Sequence, residues 1–223
     1  YYENNPVGLR TDVSITGEDL RLVTVVPTNP LKDVFHVRNG CLVENLNFAG
    51  LTTYTSHLGA GAVAFPPDTD ADKANTGYIS LGPFKVPGEK RYKSPYVRNC
   101  TNFMTESIGM KIDGSHATAQ TFGQDLKSMV CDSFTQYNEA GIGVSLTNNA
   151  YAQLVSIFTI NCDIAIYADS GGQCDLTNSN SSFGNYGLVA VGLGSTQFTG
   201  IVSNTNPAGD IIGSTNAGEQ DTV

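Results

Sequence analysis

Four short apolar stretches share one pattern: IGMKI at 108–112, IGVSL at 142–146, IAIYA at 164–168 and YGLVA at 186–190. Each carries Gly or Ala in second place and an aliphatic residue in third, and the last two each start 22 residues after the one before. Phenylalanines run ahead of them at Phe103, Phe134, Phe158 and Phe183, in steps of 31, 24 and 25 residues. Turn residues follow in phase at Asn148-Asn149, Gly171-Gly172 and Gly194. Short strands and turns recurring every 22–25 residues predict coils stacked strand on strand over residues 94–200. Adjacent coils would lie about 4.8 Å apart. In this register the four phenylalanines stack one over another, each buried ring contributing roughly 1.5–3 kcal/mol.

A competing register comes from Cys100, Cys131 and Cys162, spaced 31 residues apart. Cys100-x-x-Phe103 matches Cys131-x-x-Phe134, but Ala165 stands where a third phenylalanine belongs. The phenylalanine register therefore predicts equivalent sites for Cys100 and Cys131 and places Cys162 past its coil's aromatic. The seven-residue surplus of the first interval (31 against 24) is assigned to GSHATAQTFGQD at 114–125, a polar loop leaving the coil.

Upstream, VENLNFAG at 43–50 reads as an earlier coil ending in Phe48, and DVSITGEDLRLVTVV at 12–26 holds alternating strands. FHVRNG at 35–40 puts Phe35 and Val37 on one face and His36 and Arg38 on the other. Residues 51–93, dense in Gly, Pro, Asp and Thr, interrupt the series and read as a long excursion, with GYISL at 77–81 as its candidate strand. The domain assignment is a single coiled domain over 1–223.

Composition agrees with turn-rich β-structure: 24 Gly, 15% charged residues and no Trp among 223 residues. A net charge of -9 argues against a surface that tracks nucleic-acid phosphates. The absence of any apolar run of about 18 residues argues against a membrane-spanning helix. The five cysteines form no C-x-x-C pair and read as small buried residues, with one disulfide left open.

Taken in order over residues 34–192, HVRNGCLVENLNFAG, TGYISLGPF, SPYVRNCTNF, GMKIDG, DSFTQYNEAGIGVSLTNNAYAQLVSIFT and NSSFGNYGLVAVG resemble a segment of large virion structural proteins of marine tailed phages, of the cyanophage myovirus type. The resemblance implies a right-handed parallel β-helix of the pectate-lyase-like kind in a tail, fibre or baseplate protein. Family members are long chains, so a portion of a longer protein is expected, since the sequence starts at Tyr1. The expected role is a rigid scaffold in the virion, assembled with other virion subunits as a homo-oligomer. The alternatives are a receptor module binding a host surface glycan, or a polysaccharide depolymerase on the same scaffold. The resemblance supplies no catalytic set.

In the strand register Asp113, Thr147, Asp169 and Val191 are equivalent, so Asp113 and Asp169 lie two coils apart, about 9–10 Å. That is at or beyond the upper edge for a working carboxylate pair, and the expectation is no enzymatic cleavage and no cofactor. Asp68, Asp70 and Asp72 alternate like the start of a calcium loop, but Lys73 stands in place of the turn glycine and Ile79 in place of the closing glutamate. They read as an acidic solvated loop. His36, His57 and His116 are scattered and suggest no triad. Asn99, Asn148, Asn161 and Asn178 are candidates for a hydrogen-bonded ladder. Tyr54, Tyr78 and Tyr92, in or beside the excursion, are the candidate glycan-stacking rings.

Overall fold

The computed structural model describes residues 2–10, 12–38, 40–50, 59–65, 94–114, 128–137, 139–148 and 150–191, with Tyr2 and Glu3 as backbone only. Among these residues the chain is all-β, without a helix, and every strand pairing is parallel. Numbered in chain order, one seven-stranded sheet runs from β2 (Val7–Gly8) through β5 (Phe35–His36), β8 (Gly61–Phe65), β10 (Ile108–Asp113), β12 (Ile142–Thr147) and β14 (Ile164–Asp169) to β17 (Tyr186–Val191). The other, ten-stranded, contains β1 (Tyr2–Glu3), β3 (Ser14–Thr16), β4 (Thr24–Pro27), β6 (Leu42–Glu44), β7 (Asn47–Phe48), β9 (Tyr96–Asn102), β11 (Ser128–Tyr137), β13 (Tyr151–Ile160), β15 (Gln173–Thr177) and β16 (Asn180–Ser182). From β9 to β15 the chain alternates between the sheets; β15 and β16 then both pair with β13 before the chain crosses to β17.

The small-residue strands hold the register expected of them. Met110 pairs with Val144, Val144 with Ile166 and Ile166 with Leu188. Between these positions runs a column of Ala62, Gly109, Gly143, Ala165 and Gly187. Its cause is steric: a Cβ on Gly109 would stand 2.6 Å from Phe134 Cε1 and from Gln136 Oε1, side chains of the opposite sheet. A Cβ on Gly143 would stand 2.4 Å from the Ala165 carbonyl oxygen and 2.5 Å from Thr159 Cγ2. One apolar core joins the sheets, with Met110, Val144 and Ile166 from one side and Phe134, Leu154 and Ile157 from the other. Each such side chain contributes about 1.5–3 kcal/mol by burial.

The phenylalanine register is corrected. Phe134 is buried and pairs with Cys100 and Ile157, whereas Phe158 pairs with Thr135 and Asn180. Phe103, Phe158 and Phe183 are 47%, 42% and 88% exposed, so the four rings form no column. Strand alternation decides this, because Phe134 points inward while Phe103 and Phe158 fall at outward positions. The observed column is Val97, Cys131, Leu154 and Leu176, with steps of 34, 23 and 22 residues. Cys100 and Cys131 are therefore not equivalent, and the 31-residue cysteine spacing is incidental. All five cysteines are free.

The excursion is corrected as well. Within 51–93, GAVAF forms β8, fully buried, pairing with β5 on one side and β10 on the other. GYISL and most of GSHATAQTFGQD fall outside the described residues. Phe35 and Val37 are buried and His36 and Arg38 partly exposed, as the alternation of FHVRNG requires. Phe48 is buried in β7, paired with Asn102 of β9.

Several corners adopt the left-handed conformation at residues other than glycine. Asn45, Asn99, Ser133, Ser156 and Asn178 occupy equivalent places, with φ of 56°, 50°, 61°, 55° and 50°. Asn148 (φ 56°) and Ser170 (φ 51°) form a second corner, and Asn161 (φ 61°) and Phe183 (φ 59°) a third. The asparagine ladder is thus corrected in membership: Asn99 and Asn178 share a column, Asn148 and Asn161 belong to others. Asn is used here because its short amide tolerates the left-handed well better than most side chains.

Candidate functional site

The densest described cluster of titratable groups sits on the outer face of the seven-stranded sheet. His36, Ala64 and Lys111 are register partners on β5, β8 and β10. Asp33, from the turn before β5, reaches over them: its Oδ2 lies 2.9 Å from His36 Nε2, its Oδ1 accepts the Gly61 N–H at 2.8 Å, and Lys111 Nζ is 3.6 Å away. Lys111 Nζ also donates to the Gly59 carbonyl at 3.0 Å. Burial pushes the Asp33 carboxyl up, but the His36 hydrogen bond, the Lys111 charge and the Gly61 N–H outweigh it and hold the group below its ordinary value. Asn5, buried, sets the turn: its Nδ2 donates to the carbonyls of Asn29, Lys32 and Asp33, and its Oδ1 accepts from Asn29 N. The arrangement clasps three strands with one carboxylate. The sequence shows His36 and Arg38 on one face but not this cluster, because Gly61 and Lys111 are far from Asp33 in the chain.

Asp113 and Asp169 do occupy equivalent places, Asp113 opposite Thr147 and Asp169 opposite Val191, two strands apart. Each carboxylate is engaged locally. Asp113 Oδ1 accepts from Asn148 Nδ2 at 2.9 Å; Asp169 accepts from Tyr167 Oη at 3.2 Å and Ser170 Oγ at 3.1 Å. Tyr54, Tyr78, Tyr92, Asp68, Asp70 and Asp72 lie outside the described residues.

Between the two sheets a polar column crosses the apolar core. Asn102 Nδ2 donates to Ser107 Oγ at 2.6 Å and to Gln136 Oε1 at 2.7 Å, while Gln136 Nε2 donates to the Ser107 carbonyl at 3.1 Å. All three residues are fully buried. The next member, Thr159, keeps its Oγ1 without a partner. Such a network fixes one register, since a slip would leave several buried polar groups unpaired.

The opposite, outward positions of the same strands carry rings and neutral polar groups. Phe103 and Tyr137 (46% exposed) meet edge to face with centroids 6.0 Å apart, and Tyr137 pairs onward with Ile160. Alongside, Thr101, Thr135, Phe158 and Asn180 follow one another strand by strand. The earlier outward column, Glu44, Arg98 and Asp132, is charged instead, with Arg98 Nε donating to Glu44 Oε1 at 2.6 Å.

No family model, curated protein or solved structure matches this chain.

Proposed function

We propose that this chain is a structural component of a tailed-phage virion appendage, built as a right-handed parallel β-helix. The observation that carries the reading is the parallel register from β9 to β17, with the small-residue column and the left-handed column from Asn45 to Asn178 recurring along it. Strands stacked this way give a stiff body whose stability is a sum of neighbour contacts, suited to transmitting load rather than to moving parts. The sequence resemblance to marine phage virion proteins supplies the setting, and with it the partners: neighbouring virion subunits and further copies of the chain. Asp113 and Asp169, each held by neighbours and about 9–10 Å apart by strand spacing, are assigned a corner-stabilising role in this reading.

The test is peptide mass spectrometry on gradient-purified particles of a phage encoding the chain, with immunogold labelling. Stoichiometric recovery with label on the tail, fibre or baseplate is expected. Recovery only from the non-particle fraction of the lysate would sink the proposal. A high-resolution density map decides the handedness of the coil separately.

A further inference from the structure

We infer that the outward face of β9, β11, β13 and β16 is a binding strip for a neutral polysaccharide lying along the stack. Three exposed rings stand on the side opposite the core: Phe103 directly after β9, Tyr137 on β11 and Phe158 on β13. Between and beside them stand Thr101, Thr135 and Asn180. A sugar ring offers an apolar C–H face to stack on an aromatic ring and hydroxyls to exchange hydrogen bonds with threonine and asparagine side chains. The strip provides both kinds of group and no charge at any of these positions, in a chain that carries 33 charged side chains.

Its shape selects among occupants. Four strands at about 4.8 Å spacing and two outward positions about 7 Å apart along each strand give a footprint of roughly 200 Å². A stable protein interface takes about 800 Å² from each partner, so a second copy of the chain or another folded protein is poorly matched. An extended peptide would be expected at a sheet edge, where backbone groups are free, and this is a sheet face. A linear, uncharged polymer fits the length, the width and the chemistry. The inference is independent of the scaffold role, since a strip of this kind functions wherever the protein is displayed.

The test is affinity electrophoresis of the full chain in gels containing dextran, laminarin, mannan or xylan, with alginate as an anionic control, beside Tyr137→Ala and Phe158→Ala. Both side chains are nearly half exposed, and circular dichroism with thermal melting establishes that the variants remain folded. Retardation by at least one neutral polymer, insensitive to added salt and reduced about threefold to tenfold in each variant, is expected. Three results overturn the inference: no retardation by any of the four neutral polymers, retardation by alginate alone, or retardation unchanged in both variants. Sedimentation showing that the substitutions instead abolish self-association would also overturn it.

Discussion

Asn99 donates from Nδ2 to Oδ1 of Asn45 at 2.7 Å, linking two strands at the corner where both backbones are left-handed. The same corner is filled by Ser133 and Ser156 in the next two turns, with Asn178 returning after them and donating to Ser156 Oγ at 3.2 Å.

This column predicts opposite outcomes for two substitutions. Ser133→Asn places a residue better suited to φ of 61° and is expected to raise stability by roughly 0.5–1 kcal/mol; Ser156→Val puts a β-branched side chain at φ of 55° and is expected to cost about 1–2 kcal/mol. Chemical denaturation of the two variants checks both signs. Equal midpoints would show that the corner imposes no such selection.

The glycine column yields a paired test. Gly143→Ala is expected to cost about 1–3 kcal/mol, because its methyl would overlap a backbone carbonyl and Thr159. Gly187→Ala, at the equivalent position of β17 with no described atom within 4 Å of the added carbon, is expected to be nearly neutral. Thermal melts compare them, and a neutral Gly143→Ala would contradict the tight apposition of the sheets.

Asp33 makes stability depend on acid. Its folded carboxyl lies below the ordinary 3.8, so its contribution is complete above that pH and is lost as pH falls through the lowered value. Asp33→Asn is expected to cost about 1.5–3 kcal/mol at neutral pH and to flatten the acid limb of the stability curve. An acid limb of unchanged slope would show that another carboxylate governs it.

The cysteines give the alkaline counterpart. Burial pushes Cys100 up to about 12 and raises Cys131 and the half-buried Cys174 as well. A thiol raised in the folded state favours folding below its ordinary 9.0, and that contribution is lost as pH climbs toward 12. Iodoacetamide at pH 8 is expected to modify Cys174 first and slowly in the native protein, and all five thiols after denaturation. Rapid native labelling of Cys100 or Cys131 would contradict their burial.

The parts of this fold that could be read from sequence were those where sterics leave little choice. Gly109 and Gly143, in second place of their strands, marked the true register, since a larger side chain there would strike the facing sheet. Phenylalanine was a poor guide because a large apolar residue is tolerated at inward and outward positions alike: Phe134 is buried and Phe103 is not. GAVAF was submerged in a Gly- and Pro-rich stretch, and with a single β-branched residue, Val63, between two alanines it gave a weak strand signal. The Asp33 clasp was invisible for a different reason. Asp33, Gly61 and Lys111 meet only once β5, β8 and β10 are paired, and the turn that delivers Asp33 is held by Asn5.

Successive members of one column, Val43, Val97, Cys131, Leu154 and Leu176, are separated by 54, 34, 23 and 22 residues, yet all stand in register. The register of the paired strands is indifferent to how much chain lies between its members. An insertion confined to one of the long intervals is therefore expected to leave the pairing of this column unchanged, so that the chain between its members is free to carry added surface while the interior keeps its grammar.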